Sequence, residues 1–403
     1  MDRLVNRVRN STWGSTTAIP ALLGVPPTGE PQAELWMGAH PGDPSRVDRR
    51  DGLGARSLAD VIAADPAREL GAATAERFGP RLPFLLKVLA AEAPLSLQVH
   101  PNPAQAAAGF AEEQARGVPL DAPFRNYCDA SHKPELACAL GDLEALCGFR
   151  EVPETVKLLD QLAVPELQPC IDALRKESEA EGLRIATTYA LTLPDNRRAI
   201  VVGEVAAACL RVAETPSPFA AASAAVADLA RRHPADPGVV AALLLNHVRL
   251  TEGQAVYFAA GLPHSYLRGV FVEILANSDN VLRCGLTDKH IDIAELLRVL
   301  EFRAGPVDVL DPIEGDDGEQ VYPTPVPDFR LSRYELDGTA RHTLRSPAPQ
   351  ILLCTEGAAV VADAHGDELE LLRGQSVYVP ADDPDLLLGG AGTVFRATVP
   401  GRG

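Results

Sequence analysis

Apolar and polar positions alternate from Leu95 to His100, with Leu95, Leu97 and Val99 set against Ser96, Gln98 and His100. A two-residue period describes a half-buried strand, and it predicts that Gln98 and His100 project side by side with Ser96 one step behind. Just upstream, the apolar run Phe84–Leu89 predicts a second strand, separated from the first by a polar turn. The N-terminal part mixes Gly and Pro with short segments such as Glu34 to Pro41, which suits an irregular β start. Ser57 is placed to cap a helix beginning near Leu58, and helical pattern continues with breaks to about Arg77.

From Glu151 to Val248 the period changes to Ala- and Leu-rich helical spacing. Asp195 is expected to cap a helix running through Val212, Ser217 the next through Leu229, and Asp236-Pro237 to start a helix reaching Val248. This segment reads as a helical unit inserted between β segments, with a packing role and no chemistry. Strand pattern returns at Gly253-Gln254-Ala255-Val256-Tyr257-Phe258, and Gly374-Gln375-Ser376-Val377-Tyr378-Val379 repeats it, a weak sign of two related β units. Helical spacing from Asp292 to Val299 and a Pro-rich link from Tyr322 to Pro327 lie between the repeats.

Composition narrows the class. At 403 residues, two or three units are expected, and 46% hydrophobic with 23% charged residues is ordinary for a soluble globular chain. The net charge of −18 disfavours nucleic acid and anionic membrane as bulk partners. Seven scattered cysteines without a C-x-x-C pair, and the lack of a long apolar run, point to reduced thiols, a cytoplasmic location and no membrane span. Only Lys87, Lys133, Lys157, Lys176 and Lys289 are lysines, so a lysine inside a motif carries weight.

Three further polar clusters accompany the opening strand: Ser131-His132-Lys133-Pro134-Glu135, Gly261-Leu262-Pro263-His264-Ser265-Tyr266, and the stretch from Glu273 to Gly285. Together Gln98, His100, Glu135 and His264 make a mixed nitrogen and oxygen shell suited to zinc, with positions open for water or substrate. Trp13, Trp36 and His40 are read as packing residues. His132, His233, His247, His290, His342 and His365 are read as structural or exposed.

On these motifs the chain resembles the type I mannose-6-phosphate isomerases, a family of the cupin superfamily. The likeness runs in order through W-G-S at Trp13–Ser15, E-L-W-M-G-A-H-P at Glu34–Pro41, F-L-L-K-V-L at Phe84–Leu89, Q-V-H-P, H-K-P-E, P-H-S-Y and N-S-D-N-V-L-R-C-G-L-T at Asn277–Thr287. The turn from Gly253 to His264 is similar to the second cupin motif, with Ala259 where Pro is usual and Arg268 where Asn is usual. The resemblance implies a mainly β fold with α: a cupin (jelly-roll-like β-barrel) catalytic domain at 1–150 and 249–305, a helical insertion at 151–248, and a degenerate, metal-free cupin at 306–403.

It further implies one zinc ion per chain held by Gln98, His100, Glu135 and His264, and interconversion of mannose 6-phosphate and fructose 6-phosphate through a cis-enediol. Lys87, Lys133, Tyr266, Glu273, Asp279 and Arg283 are expected to line the pocket. Arg283 would stabilise the enediolate or move protons near it; Ser96, Lys87 and Lys133 would contact phosphate. Lys133, Glu273 and Asp279 remain alternatives for the base. The expected partner is a small sugar phosphate, and the expected state a monomer. The rival readings are a cupin enzyme of another type, either an isomerase of a different sugar phosphate or an iron oxygenase, and a sugar-phosphate-binding regulator without turnover. The phosphate-directed Lys and Arg set argues against the oxygenase. A regulator would be expected to lack Lys133, Glu135 or Arg283, and all three are present.

Overall fold

The computed structural model describes residues 1–403 apart from 50–53, 346, 365, 384 and 402–403, so His365 lies outside the described residues. The chain is sheet-rich with helices, as the alternating pattern implied, and is built on two eleven-stranded sheets. One runs Val309–Leu310, Ala255–Phe258, Glu135–Ala139, His264–Ala276, Phe84–Ala91, Arg7–Ser15, Gln32–Gly38, with Leu97–Val99, Leu143–Phe149, Leu245–Leu250 and Leu282–Gly285 joined beside that path. Its path runs between edge strands and does not close on itself among the described residues.

The strand His264–Ala276 organises this sheet. Its first part pairs with Leu143–Phe149 and Leu97–Val99, and its second with Phe84–Ala91 and Glu135–Ala139. The change of partner falls at a register shift between Tyr266 and Arg268, followed by Gly269 at φ 139°. A Cβ at Gly269 would meet the Asp142 carbonyl oxygen at 2.7 Å, so only glycine lets the strand turn the corner there. The corner carries His264 and Glu273 onto different parts of the sheet while one strand fixes both.

Six helices lie between Val152 and Ala242, including Asp195–Ala213 and Ala220–Arg232. Their apolar faces form one core that also takes in Leu97, Val99 and Leu282. The apolar side of the opening strand therefore packs on the helical unit, which leaves Gln98 on the opposite side. Two expected caps differ. Asp195 is already the first helical residue, and the Ser217 hydroxyl accepts from the Phe219 N–H ahead of the helix proper. The helix expected to reach Val248 ends at Ala242, and Leu245–Leu250 is a strand paired with Leu143–Phe149. The apolar run there fits either element, and the available sheet edge decides it. Ser57 caps its helix as expected, through a bond from the Ala59 N–H, and Asp292 caps Ile293–Val299 through the Glu295 N–H.

The second sheet runs Ile313–Glu314, Gln320–Tyr322, Arg330–Asp337, Leu386–Thr398, Gln350–Ala362, Ser376–Val379, then Asp2–Val5, Arg46–Val47 and Arg56–Ser57. The repeated G-Q motif opens one strand in each sheet. In both copies the glutamine side chain accepts from the backbone N–H three residues earlier, Thr251 or Leu372. Among the described residues no helix is long and apolar enough to cross a membrane.

Candidate metal centre and active site

Three strands deliver a buried cluster. His100 follows Leu97–Val99, Glu135 opens Glu135–Ala139, and His264 opens the long strand; the three side chains are essentially sealed from solvent. Glu135 places one oxygen 3.4 Å from His100 Nε2 and the other 3.4 Å from His264 Nε2. One potential ligand atom from each residue lies within 4.8 Å of the others, and this is the metal-type cluster found among the described residues. His100 Nδ1 donates to the Asn280 carbonyl at 2.8 Å and His264 Nδ1 to the Leu262 carbonyl at 3.0 Å. Both rings thereby turn bare Nε2 lone pairs inward, as metal-ligating imidazoles do. Burial holds His100 down to about 4, so it is neutral near pH 7. His100 Nε2 and Glu135 Oε2 have no hydrogen-bond partner, a costly state for buried polar atoms that a cation would relieve.

Gln98 is the fourth ligand expected from sequence. Its amide lies 3.3 Å from His264 Nε2, and turning the amide over presents Oε1, the atom a metal takes. Gln98 also lines a cavity of about 520 Å³ with Ser96, Arg283, Lys289, Trp13, Glu34, Arg232 and His233, and it is the one expected ligand that borders that cavity. Arg283 stands directly opposite Gln98 across paired strands, which puts the two side chains on one face. Among the described residues no carboxylate pairs with Arg283, and burial lowers its pKa. Lys289 is pulled down by the Arg283 charge first and burial second. Two neighbouring cations without a counter-ion are a ready anion site.

Behind the cluster, Lys87 stands opposite Glu273 on one side and Trp36 on the other. Its ammonium is 3.5 Å from Glu273 and 3.7 Å from Glu34, and it lies over the Trp36 ring at 4.8 Å. Burial would depress Lys87, but the Glu34 and Glu273 carboxylates outweigh it and keep the amine charged. Tyr266 donates to Glu273 at 2.8 Å. Burial and then Glu135 push Glu273 up to about 7. Lys133 is held to Glu135 at 2.8 Å.

The structure thus brings Ser96, Gln98 and Arg283 to one cavity wall. It places Lys87, Tyr266 and Glu273 in a buried network beside it. Asp279 is not part of the cavity wall; 56% of its side chain is exposed, His40 is its ion-pair partner, and against burial His40 and the Lys133 and Lys87 charges hold its carboxylate below the usual range. Lys289, Glu34, Arg232 and His233 were not singled out for the site from sequence; for Lys289 the signal was there, one of five lysines two residues beyond N-S-D-N-V-L-R-C-G-L-T.

A family model, phosphomannose isomerase type I, catalytic domain, matches residues 1–152. The mannose-6-phosphate isomerase of Escherichia coli strain K12 is 40% identical over 399 residues, covering 98% of this chain and 99% of that protein. The chain belongs to the type I phosphomannose isomerase family. The rat member is 35% identical over 380 residues, covering 89% of this chain and 86% of its own. Among solved phosphomannose isomerases, a zinc-bound holo mannose 6-phosphate isomerase and a Salmonella typhimurium mannose 6-phosphate isomerase bound to fructose 6-phosphate and zinc each superpose with TM-score 0.90. Both are 37% identical and cover 99% of each chain.

Proposed function

We propose that this chain is a zinc-dependent aldose–ketose isomerase that interconverts mannose 6-phosphate and fructose 6-phosphate. The observation that carries the reading is the buried Glu135 between two imidazoles whose Nδ1 protons are spent on backbone carbonyls, with Gln98 beside them lining a cavity that holds the Arg283 and Lys289 cations. Full-length identity to mannose-6-phosphate isomerases supports it. His100, Glu135, His264 and Gln98 would hold one zinc ion. When bound, zinc supplies Lewis-acid polarisation of substrate oxygens.

The chain's own residues supply the rest. Ser96, Arg283 and Lys289 bind the phosphate and the adjoining oxygens; Lys289 takes the place first expected for Lys87, which is committed to Glu34 and Glu273. Glu273, poised at about 7, is the base that removes the proton from C2 of mannose 6-phosphate and returns it at C1, giving fructose 6-phosphate without net redox change. Tyr266 and Lys87 hold that carboxylate. Lys133 and Arg283 offset the negative charge that builds on the enediolate oxygens. Asp279 exchanges protons with the sugar hydroxyls. We read 1–150 with 249–305 as the catalytic domain, 151–248 as a helical insertion and 306–403 as a second, metal-free unit. The same reading makes the protein a cytoplasmic monomer, supported by its net charge and seven free cysteines.

The test is coupled conversion of each sugar phosphate by the zinc-loaded protein, before and after chelation and after zinc is restored. Loss on chelation with recovery on zinc is expected. Activity indifferent to metal removal, or none in the loaded protein, overturns the reading.

A further inference from the structure

The stretch Trp36 to Pro41 reads as packing, yet its histidine makes two directed polar contacts. The Gly42 N–H donates to His40 Nδ1 at 3.1 Å. A ring nitrogen that accepts a backbone proton cannot carry one, so the proton of the neutral ring is on Nε2. Nε2 faces Asp279 Oδ2 at 3.3 Å, at the long end of hydrogen-bonding range. The ring itself is buried and stands edge-on to Trp36 with centroids 5.0 Å apart. Trp36 in turn donates to Glu34 at 2.8 Å and lies under Lys87. Neighbouring bonds, Asp43 N–H to the His40 carbonyl at 3.1 Å and Ser45 N–H to the Gly38 carbonyl at 2.8 Å, fix the loop that carries the ring.

The other side of the contact is equally constrained. The Asp279 N–H is held by Asp129 at 2.9 Å, and the next residue, Asn280, gives its carbonyl to His100 Nδ1. The backbone turn is therefore tied to a metal ligand, while the Asp279 side chain has His40 as its side-chain partner and is otherwise half open to solvent. A carboxylate in that position has several open rotamers, and one N–H selects among them.

We propose that His40 is a positioning residue for the isomerisation, its Nε2–H fixing the Asp279 carboxylate beside the turn that holds the metal ligand His100. This rests on the reading that Asp279 exchanges protons with the substrate, and it assigns to the W-M-G-A-H-P segment a task besides packing.

Steady-state kinetics and zinc content of four variants test it: His40→Phe and His40→Leu, which fill the space without a donor; His40→Gln, which returns an N–H near the Nε2 position; and Asp279→Asn. Either donor-free variant is expected to lose about 10-fold or more in kcat, the scale of a hydrogen bond to a charged group, with KM and zinc unchanged. His40→Gln recovers most of that loss. In an Asp279→Asn background, His40→Phe adds no further loss. Parental kcat in the donor-free variants, losses that multiply, or a His40→Gln no better than Phe overturns the proposal. An unimpaired Asp279→Asn instead removes the role given to Asp279, and the two failures are told apart by that one variant.

Discussion

Lys87 sits between the buried Glu273 carboxylate and the half-buried Glu34 carboxylate, and replacing it with methionine keeps the stem while deleting the charge. At 3.5 Å from Glu273, and with an effective dielectric near 20, the pair is worth about 5 kcal/mol of gross attraction. Glu34 at 3.7 Å adds a similar gross amount. Desolvation consumes much of this, so the net cost of removing the cation is set at about 3 kcal/mol. The loss has a pH signature. Glu273 is already raised to about 7, and without Lys87 it rises further. Between the unfolded and folded values the folded variant binds more protons than the unfolded chain, so its stability falls as pH rises, by up to about 1.4 kcal/mol per pH unit. Lys87→Met is therefore expected to lose most at about pH 8 and clearly less at about pH 6. Adding Glu273→Gln should restore stability and erase the pH slope without restoring turnover. Urea unfolding of the parent and both variants across that pH range, with zinc saturating, measures the stability and its slope, and the coupled assay measures turnover. A pH-independent loss, or a double variant as unstable as the single one, refutes the account of Lys87 as the counter-charge of Glu273.

Arg283→Ala is expected to keep its zinc and lose turnover by at least ~100-fold, measured by metal analysis beside the coupled assay. Lys289→Ala should raise KM and weaken competition by inorganic phosphate while kcat changes little; a kcat defect at unchanged KM would place Lys289 in the chemistry instead. Tyr266→Phe deletes a hydrogen bond to the charged form of Glu273, so the acid limb of the kcat profile should move to higher pH. Acidification should destabilise the metal-free protein: His100 is depressed to about 4 from an ordinary value near 6.5, so its contribution is complete above about 6.5 and is lost as pH falls through the folded value. Thermal midpoints of the apoprotein across that window check the last expectation.

Much of the site was legible because its ligands sit on short, strongly patterned pieces. Alternation alone puts Gln98 opposite the apolar face that Leu97 and Val99 bury in the helical core. Pro134 and Pro263 mark the turns that deliver Glu135 and His264. What escaped was set by partners distant in sequence. Leu245–Leu250 carries an apolar run that a helix could equally bury, and the exposed edge of Leu143–Phe149 claims it. Lys289 gains meaning only once it is seen to line one cavity with Ser96, Gln98 and Arg283. The polarity of His40 depends on Gly42 and Asp279, one local and one far away.

The strand Asp2–Val5 pairs Asp2 and Arg3 with Tyr378 and Val377, and its other edge takes Val47 and Arg46. A ribosome makes this strand long before its principal partner. Throughout translation the nascent chain thus carries an unmatched sheet edge, which is an invitation to chaperones or to neighbouring chains on the same message. Chains halted between His264 and Ser376 would leave that edge open permanently. Their yield should depend on chaperone supply far more than that of finished chains, although every residue proposed to hold the zinc is already present in them.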